Sequence, residues 1–358
     1  MTLMAVPTMR AVRLTGWGDG ARVVRIPVPE PQGHQLLLRV EAAGLCRSDL
    51  HVMDAPAGVF DYPLPFTLGH EVAGTVVGAG PEADKSWIGE SVVVHGVWSC
   101  GQCRNCRRGR ENYCFELCPR EDGRLAAIGN GIGYDGGLAD TMIVPSGRCL
   151  VRTHGLAPES AAPLADAALT AYHAIRTNRD LVDADSVSVV VGVGGLGHIA
   201  VQVLRALGAG TIVAVDPRES SRDLARRLGA DVAVSDIAEV ATSRPGAVRR
   251  HCADLVFDFV GAPDTMESAA QLLAPGGRLI TVGSAGGRLT VGKDVGLATG
   301  WQVTAPFWGT RADLEAVVDL ANRGLLAVEA TAYPLDDVLD VYSRLRRGEI
   351  TGRAVVIP

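Results

Sequence analysis

Four cysteines close together are the first candidates for metal chemistry in this chain. They are Cys100, Cys103, Cys106 and Cys114, spaced C-x2-C-x2-C-x7-C. Four thiolates at this spacing can complete a tetrahedral shell around one Zn²⁺, with bonds of about 2.3 Å. A closed shell leaves no position for a substrate, so we expect this zinc to be structural. The alternative is a disulfide cluster, which a reducing compartment disfavours.

A glycine-rich turn predicts a second kind of site, for a dinucleotide. The apolar run 189–191 leads into Gly192-Val193-Gly194-Gly195-Leu196-Gly197, which has the pattern G-x-G-x-x-G, and a helical stretch follows. Gly192 permits the tight turn, Gly194 lets the backbone approach a pyrophosphate, and Gly197 lets helix and strand pack closely. The amino terminus of the helix adds N–H donors and a partial positive charge.

The residue at the end of the next strand indicates which dinucleotide binds. Asp216 lies nineteen residues beyond Gly197, where a carboxylate can accept hydrogen bonds from ribose hydroxyls and repel a 2′-phosphate. Arg218 argues the other way, because a guanidinium at that point could hold the same phosphate. We give Asp216 more weight and predict NAD.

Two patterns of secondary structure must position these residues. From Met9 to about Val151, short β-branched runs are broken by Gly and Pro, which predicts a β-rich domain. From Ser186 onward, strands alternate with helices such as 199–207 and 220–228, which predicts a parallel, doubly wound α/β sheet. The expected strands are 9–14, 35–42, 71–77, 91–95, 138–144, 186–191, 211–215, 230–234, 254–259, 278–282, 302–305 and 352–358, and the tail 312–347 is expected to be helical.

Composition excludes several classes of function. The chain has 358 residues, of which 47% are apolar and 21% charged, enough for two or three domains with a large core. Its net charge of −6 gives no electrostatic case for nucleic acid or an anionic membrane. No apolar run is long enough to predict a membrane span, and the amino terminus lacks a secretory signal pattern. We therefore expect a cytoplasmic protein.

Two further segments complete a family pattern, Gly44-Leu45-Cys46-Arg47-Ser48-Asp49-Leu50-His51 and Gly69-His70-Glu71. Together with the cysteine cluster and the glycine turn, they resemble the zinc-dependent medium-chain alcohol dehydrogenases, and among these the bacterial and archaeal secondary-alcohol enzymes. The resemblance implies a GroES-like catalytic domain, residues 1–165 completed by 311–358, and a Rossmann cofactor domain, residues 166–310. It also implies two zinc ions per chain, with NAD as the hydride carrier.

The resemblance implies a catalytic zinc on Cys46, His70 and a third ligand in the segment 163–170. That third ligand is Asp166 here, although taken by itself Asp166 would equally suit a helix N-cap. Three protein ligands leave the fourth position open to water or substrate. Asp49 is implied as the carboxylate that orients the ligand histidine.

The resemblance also assigns roles to residues around the metal and the cofactor. Ser48 and His51 match a relay that carries the alcohol proton to solvent, and their spacing of three residues suits one helical turn. Glu71 is implied as an alternate zinc ligand. Arg47 and Arg353 match basic groups near the pyrophosphate of the cofactor.

The expected reaction interconverts an alcohol and its aldehyde or ketone by hydride transfer, with a medium-sized, apolar primary or secondary alcohol as substrate. A polyol dehydrogenase of the same family is the alternative enzyme. A non-catalytic NAD-binding redox sensor is a third hypothesis, against which the complete set of ligands and relay residues argues. Zinc-free enoyl and quinone reductases share the fold but lack these ligands. The resemblance further implies a homo-oligomer, a tetramer rather than a dimer, that pairs through residues 301–305.

Overall fold

The chain folds into two compact units. A computed structural model describes residues 6–241 and 251–358. The first unit consists of Met1–Asp166, Thr310–Asn322 and Ala330–Pro358, and the second of Ala167–Gly309 and Arg323–Glu329. Within the described residues, no helix is long and apolar enough to cross a bilayer.

One short segment groups differently from the sequence-based expectation. Residues 323–329 were expected in the first domain with the rest of the tail, but they belong to the second unit. The side-chain amide of Gln202 donates to the carbonyl oxygen of Ala327 and accepts from the backbone N–H of the same residue, at 2.9 Å each. The ring of His198 accepts from the backbone N–H of Glu329 at 3.2 Å. These bonds attach the segment to a helix of the second unit.

The first unit is built largely from strands, as its short β-branched runs predict. In chain order they are β1 (Thr8–Leu14), β2 (Ala21–Pro27), β3 (Leu36–Leu45), β4 (Phe66–Thr67), β5 (Glu71–Ala79), β6 (Ser91–Val94), β7 (Gly129–Asn130), β8 (Gly133–Tyr134), β9 (Thr141–Val144) and β10 (Leu150–Arg152). Three helices accompany them, α1 (Arg47–Asp54), α2 (Arg104–Arg107) and α3 (Pro158–Ala161).

The second unit has the predicted strand–helix alternation. Its helices are α4 (Ala167–Arg176), α5 (Gly197–Ala206), α6 (Glu219–Arg227) and α7 (Pro263–Leu272), and its strands are β11 (Val187–Val191), β12 (Thr211–Val215), β13 (Val232–Val234), β14 (Ala253–Asp258), β15 (Leu273–Thr281) and β16 (Gln302–Thr304). The sheet order is β13-β12-β11-β14-β15-β16, and all neighbours are parallel. This is the doubly wound order of a dinucleotide-binding domain.

The carboxyl-terminal tail returns to the first unit with two helices and two strands. They are α8 (Arg311–Asn322), β17 (Ala330–Pro334), α9 (Val338–Arg346) and β18 (Arg353–Ile357). The prediction of a helical tail over 312–347 was wrong at β17. That strand pairs in parallel with β18, in the register Ala330 opposite Arg353. Such a partner, distant in sequence, overrides the local pattern that favoured a helix.

The main sheet of the first unit brings the chemically interesting residues to one end. Its order is β10-β6-β5-β3-β18-β17, with β9 also paired to β3. Strand β3 runs antiparallel to β5, with Gly44 opposite Glu71, and antiparallel to β18, with Leu45 opposite Ala354. The residues just after β3, just before β5 and at the start of β18 are therefore neighbours. These are Cys46, His70 and Arg353.

Small side chains allow the segment that leads to Asp166 to pack close to this sheet. Ala161 and Ala162 pack in one buried cluster with Ala42, Ala73 and Val355. Because alanine side chains are small, the segment that follows α3 lies close to the sheet. Its last residue, Asp166, then reaches the end where the sheet presents the other candidate ligands.

Candidate metal centres and nucleotide site

The structure brings the three residues expected at the catalytic zinc together in a buried position. Cys46 Sγ lies 3.5 Å from Asp166 Oδ2, and His70 Nε2 lies 3.5 Å from the same oxygen. One ligand atom from each of the three residues lies within 4.8 Å of the others. Tetrahedral zinc with bonds of about 2.0–2.3 Å holds its ligand atoms roughly 3.3–3.8 Å apart. The donor set therefore fits Zn²⁺ with a fourth position left for another ligand.

Asp49 fixes which nitrogen of His70 faces the metal site. Its Oδ1 lies 2.9 Å from His70 Nδ1, so Nδ1–H donates to the carboxylate and Nε2 is the nitrogen that faces Asp166. Its Oδ2 accepts from the backbone N–H of Cys46 at 3.0 Å. Asp49 is fully buried at the amino-terminal turn of α1. This is the arrangement in which an outer carboxylate orients a metal-binding imidazole.

The charge around His70 favours a cation at the same place. Burial disfavours the imidazolium, but the carboxylate of Asp49 and hydrogen bonds to Asp166, Asp49 and Cys46 raise the pKa of His70 well above its usual value. A proton and a metal ion therefore compete for Nε2 of His70.

Zinc loading of this site should therefore rise with pH. Since the pKa of metal-free His70 is raised, its proton persists to higher pH than on a free imidazole, and zinc must displace it. The apparent affinity should increase about tenfold per pH unit for each displaced proton, up to that raised pKa. Chelator-competition titrations from weakly acidic to alkaline pH measure it. An affinity independent of pH would contradict the assignment of His70 as a ligand.

Glu71 and Arg353 form a buried pair beside these ligands. Arg353 Nε donates to Glu71 Oε2 at 2.9 Å, and its Nη2 donates to the other oxygen. The same Nη2 lies 3.5 Å from Asp166 Oδ2. Burial raises the pKa of Glu71 to about 7, against the opposing charge of Arg353. The expected contact of Arg353 with a pyrophosphate stays a prediction, whereas its pairing with Glu71 was not foreseen.

The two residues predicted for the proton relay, Ser48 and His51, lie on α1 with Arg47, which was predicted at the pyrophosphate. Ser48 Oγ lies 3.6 Å from Cys46 Sγ and is half-buried, while Arg47 and His51 are exposed. One helical turn thus leads from the metal site at Ser48 to solvent at His51. Sequence reasoning missed Tyr342 of α9, whose hydroxyl bonds Asp49. Its only sequence signal was an aromatic residue on an amphipathic helix, which is typical of a core.

The four-cysteine cluster has the dimensions of a second zinc site. Its neighbouring sulfur atoms are 3.5 to 3.9 Å apart, close to the roughly 3.8 Å of four thiolates on one Zn²⁺. All eight cysteines are free thiols, so the disulfide alternative does not hold in this structure. Backbone N–H groups of Cys106 and Phe115 lower the pKa of the Cys103 thiol to about 6, whereas burial raises the pKa of Cys106 and of Cys114. In the absence of metal, the thiolate form that metals bind is thus favoured at Cys103.

The glycine turn of the second unit has room for a pyrophosphate. Gly192 adopts a φ of 87°, and a Cβ on Gly197 would lie 1.9 Å from the carbonyl oxygen of Gly192. A Cβ on Gly194 would meet no heavy atom closer than Arg218 Nη2 at 4.0 Å. Helix α5 begins at Gly197 after the cap residue Leu196. The turn therefore fits the phosphate-binding role predicted for it.

Asp216 closes this turn from the end of β12. It is 3% exposed and accepts from the backbone N–H groups of Val193 at 2.9 Å and Arg218 at 3.0 Å. The Arg218 side chain adds two bonds of 3.0 Å to the same carboxylate. The guanidinium that could have held a 2′-phosphate is thus engaged by the carboxylate that would repel one.

Two family models match the chain in the order of its two predicted domains. The alcohol dehydrogenase GroES-like domain matches residues 32–154, and the zinc-binding dehydrogenase domain matches residues 195–323. A D-arabinose 1-dehydrogenase (NADP(+)) from Saccharolobus solfataricus is 34% identical over 98% of this chain and 97% of that protein. The chain belongs to the zinc-binding alcohol dehydrogenases.

Other members of the family match over almost the full length. An NAD-dependent alcohol dehydrogenase from Sulfurisphaera tokodaii is 32% identical over 98% of this chain and all of that protein. The crystal structure of the alcohol dehydrogenase from Aeropyrum pernix superposes with a TM-score of 0.87, at 32% identity, over 98% of this chain and 100% of that one. The predicted family, fold class and enzyme class are confirmed, and this alcohol dehydrogenase has ligand sets that fit two zinc ions.

Proposed function

We propose that this alcohol dehydrogenase interconverts a medium-sized, apolar primary or secondary alcohol and its carbonyl compound, with NAD as hydride carrier. The observation that carries the proposal is the buried set of Cys46, His70 and Asp166, with ligand atoms within 4.8 Å of one another. Bound zinc supplies a Lewis acid that lowers the pKa of an alcohol, and the nicotinamide supplies the hydride acceptor. Thiolate, carboxylate and neutral imidazole together balance the charge of Zn²⁺.

Ser48 and His51 carry the proton that the alcohol loses. The hydroxyl of Ser48 lies beside Cys46 Sγ, at 3.6 Å, where it can accept a proton from a substrate oxygen. His51 lies one turn further along α1 and faces solvent. The ribose hydroxyls of the cofactor are the expected link between the two groups, and Glu71 is the expected alternate ligand.

The second unit holds the cofactor through the turn 192–197 and Asp216, with Arg47 and Arg353 proposed at the pyrophosphate. Asp216 supports NAD, because its carboxylate is fixed by two backbone donors where the ribose hydroxyls are expected. The relative from S. solfataricus is named for NADP, and Arg218 is the residue of this chain that could serve the extra phosphate.

Replacing Asp216 should change the preferred cofactor. In Asp216→Ser, the carboxylate no longer repels a 2′-phosphate and Arg218 is released to bind it, so the kcat/KM ratio of NADP to NAD should rise by about 100-fold, or about 2.7 kcal/mol. Initial rates with each cofactor at saturating alcohol measure this ratio. Arg218→Gln is the matched control and should lower activity with NADP more than with NAD. An unchanged ratio in Asp216→Ser would contradict the role of Asp216.

Aromatic side chains support an apolar substrate. Phe60 stacks on Trp17 and on Tyr62, with ring centroids 5.8 and 4.6 Å apart. The segment 129–133 packs against both Tyr62 and the backbone that precedes His70. A Cβ on Gly133 would lie 3.0 Å from a ring carbon of Tyr62, and one on Gly131 would lie 2.5 Å from the backbone of Gly69, the residue before His70.

The polyol alternative rests on the carboxylate ligand Asp166, on the retained Glu71 and on the relative named for D-arabinose. A panel of alcohols separates the two hypotheses. With the zinc-loaded enzyme and NAD, we expect kcat/KM for benzylic and secondary aromatic alcohols to exceed that for D-arabinose or sorbitol by at least roughly tenfold. Absorbance of NADH gives the rates. The opposite ranking would favour the polyol enzyme, and no turnover of any alcohol would favour the non-catalytic sensor.

We also infer a cytoplasmic homotetramer. Strand β16 lies at the edge of its sheet, and the side chains of Gln302 and Thr304 are exposed. An exposed edge strand supports pairing with a second copy. Light scattering on the purified protein measures the mass of the assembly, and a monomer would contradict this inference.

A further inference from the structure

Tyr342 touches the metal site from the far end of the sequence. It lies on α9, is 4% exposed, and donates its hydroxyl hydrogen to Asp49 Oδ2 at 2.9 Å across 293 residues of chain. Burial and the negative charge of Asp49 raise the pKa of Tyr342 well above its usual value. The hydroxyl is therefore a donor, not a phenolate, at neutral pH.

Asp49 is the point at which two proposed zinc ligands are held together. One oxygen bonds His70 Nδ1 at 2.9 Å, and the other accepts from the Cys46 backbone at 3.0 Å. The Tyr342 hydroxyl is a third donor, and it comes from a helix that carries none of the proposed ligands. Because the carboxylate is fully buried, a lost donor is not replaced by bulk water, and the carboxylate would turn to satisfy its lone pairs differently.

Helix α9 contacts α1 at a second point. Arg346 follows Tyr342 by four residues and so lies on the same face of α9. Its guanidinium pairs with the carboxylate of Asp54, with one bond of 2.9 Å, and both side chains are about half exposed. Asp54 ends α1 and does not belong to the set of ligands. This contact holds the helices together without reaching the metal site.

We propose that Tyr342 is a positioning residue for the catalytic zinc, acting through Asp49 on His70 and Cys46. The carboxyl-terminal helix thereby contributes to how firmly the metal is retained and how strongly it activates an alcohol. This inference rests on the proposed zinc site at Cys46, His70 and Asp166. It adds a residue that neither the motifs nor the ligand geometry assigns.

The test compares Tyr342→Phe with Arg346→Gln in the full-length, metal-loaded enzyme. Removing the hydroxyl should accelerate loss of the catalytic zinc to a chelator by roughly tenfold and shift the d–d absorption of the Co²⁺-substituted enzyme. It should lower kcat more than it changes KM for the alcohol. Arg346→Gln, which weakens the other contact of the same helix, should leave the zinc release rate and the Co²⁺ spectrum unchanged.

The outcomes distinguish this inference from the site on which it rests. If Tyr342→Phe releases zinc at the parental rate with the parental Co²⁺ spectrum, or if Arg346→Gln changes both equally, Tyr342 only packs. If the parental enzyme itself binds no metal at Cys46, the proposed site fails first. Should the Phe variant not fold, ¹⁹F spectra of fluorotyrosine-labelled parental enzyme replace it. One tyrosine resonance should move when the catalytic zinc is removed, and the inference is overturned if none does.

Discussion

Cys46→Ala is expected to lower the zinc content from two ions per chain to one and to reduce alcohol oxidation at least roughly 1,000-fold, about 4 kcal/mol in transition-state stabilisation. Without the thiolate, His70 and Asp166 remain as two ligands, 3.5 Å apart, fewer than the three protein ligands of a catalytic zinc site. The alcohol then keeps its high pKa. Elemental analysis and initial rates with NAD measure the two effects on one sample.

Cys149→Ala is the matched control for this substitution. Cys149 is another buried thiol of the first unit, and burial raises its pKa to about 11, which makes it inert. Its variant should retain two zinc ions, and its activity should stay within about twofold of the parental enzyme, with some loss of stability from the cavity. Two zinc ions and parental activity in Cys46→Ala would contradict the assignment of Cys46.

Cys103→Ala is expected to act on stability rather than on the chemical step. Residues 100–114 contain one four-residue helix, α2, and few buried side chains, so bound metal takes the place of an apolar core. The variant should lose one zinc ion and with it several kcal/mol of the free energy of unfolding. Because each kcal/mol moves the midpoint of thermal unfolding by about 2–4 °C, the midpoint should fall by about 10 °C or more. Calorimetry and zinc analysis measure these changes.

The segment 100–114 also contacts the start of α8, so loss of its zinc should destabilise that helix as well. Glu111 accepts from the backbone N–H of Arg311 at 2.6 Å. At temperatures below its unfolding midpoint, Cys103→Ala should still oxidise alcohol, because none of the four thiols belongs to the catalytic ligand set. Cys118→Ala, an exposed thiol four residues beyond Cys114, is the control and should change neither zinc nor midpoint. An unaltered midpoint in Cys103→Ala would mean that the fold of the segment 100–114 does not depend on bound metal.

The residues that sequence could predict share a short-range pattern. The four thiols lie within one loop, and the glycine turn requires particular backbone conformations, so spacing alone carries information about both. Cys46 and His70 were found through their motif neighbours. The alternating strands of the second unit were equally readable, because each strand is a short apolar run between helices.

The residues that sequence could not predict depend on pairing across the chain. Arg353 meets Glu71 over 282 residues, and Tyr342 meets Asp49 over 293. Neither contact leaves a local signal, since each joins residues that are almost 300 positions apart in the sequence. Strand β17 was missed for the same reason. The geometry around the predicted ligands is therefore a property of tertiary packing.

A zinc-edge anomalous difference map from crystals of the purified enzyme shows whether Cys46, His70 and Asp166 bind zinc. We expect two peaks per chain, one enclosed by Cys100, Cys103, Cys106 and Cys114 and one bonded to Cys46, His70 and Asp166. A single peak at the four cysteines, in protein that oxidises alcohols with NAD at full rate, would contradict this expectation. The catalytic role of the Cys46 site would then have to be abandoned.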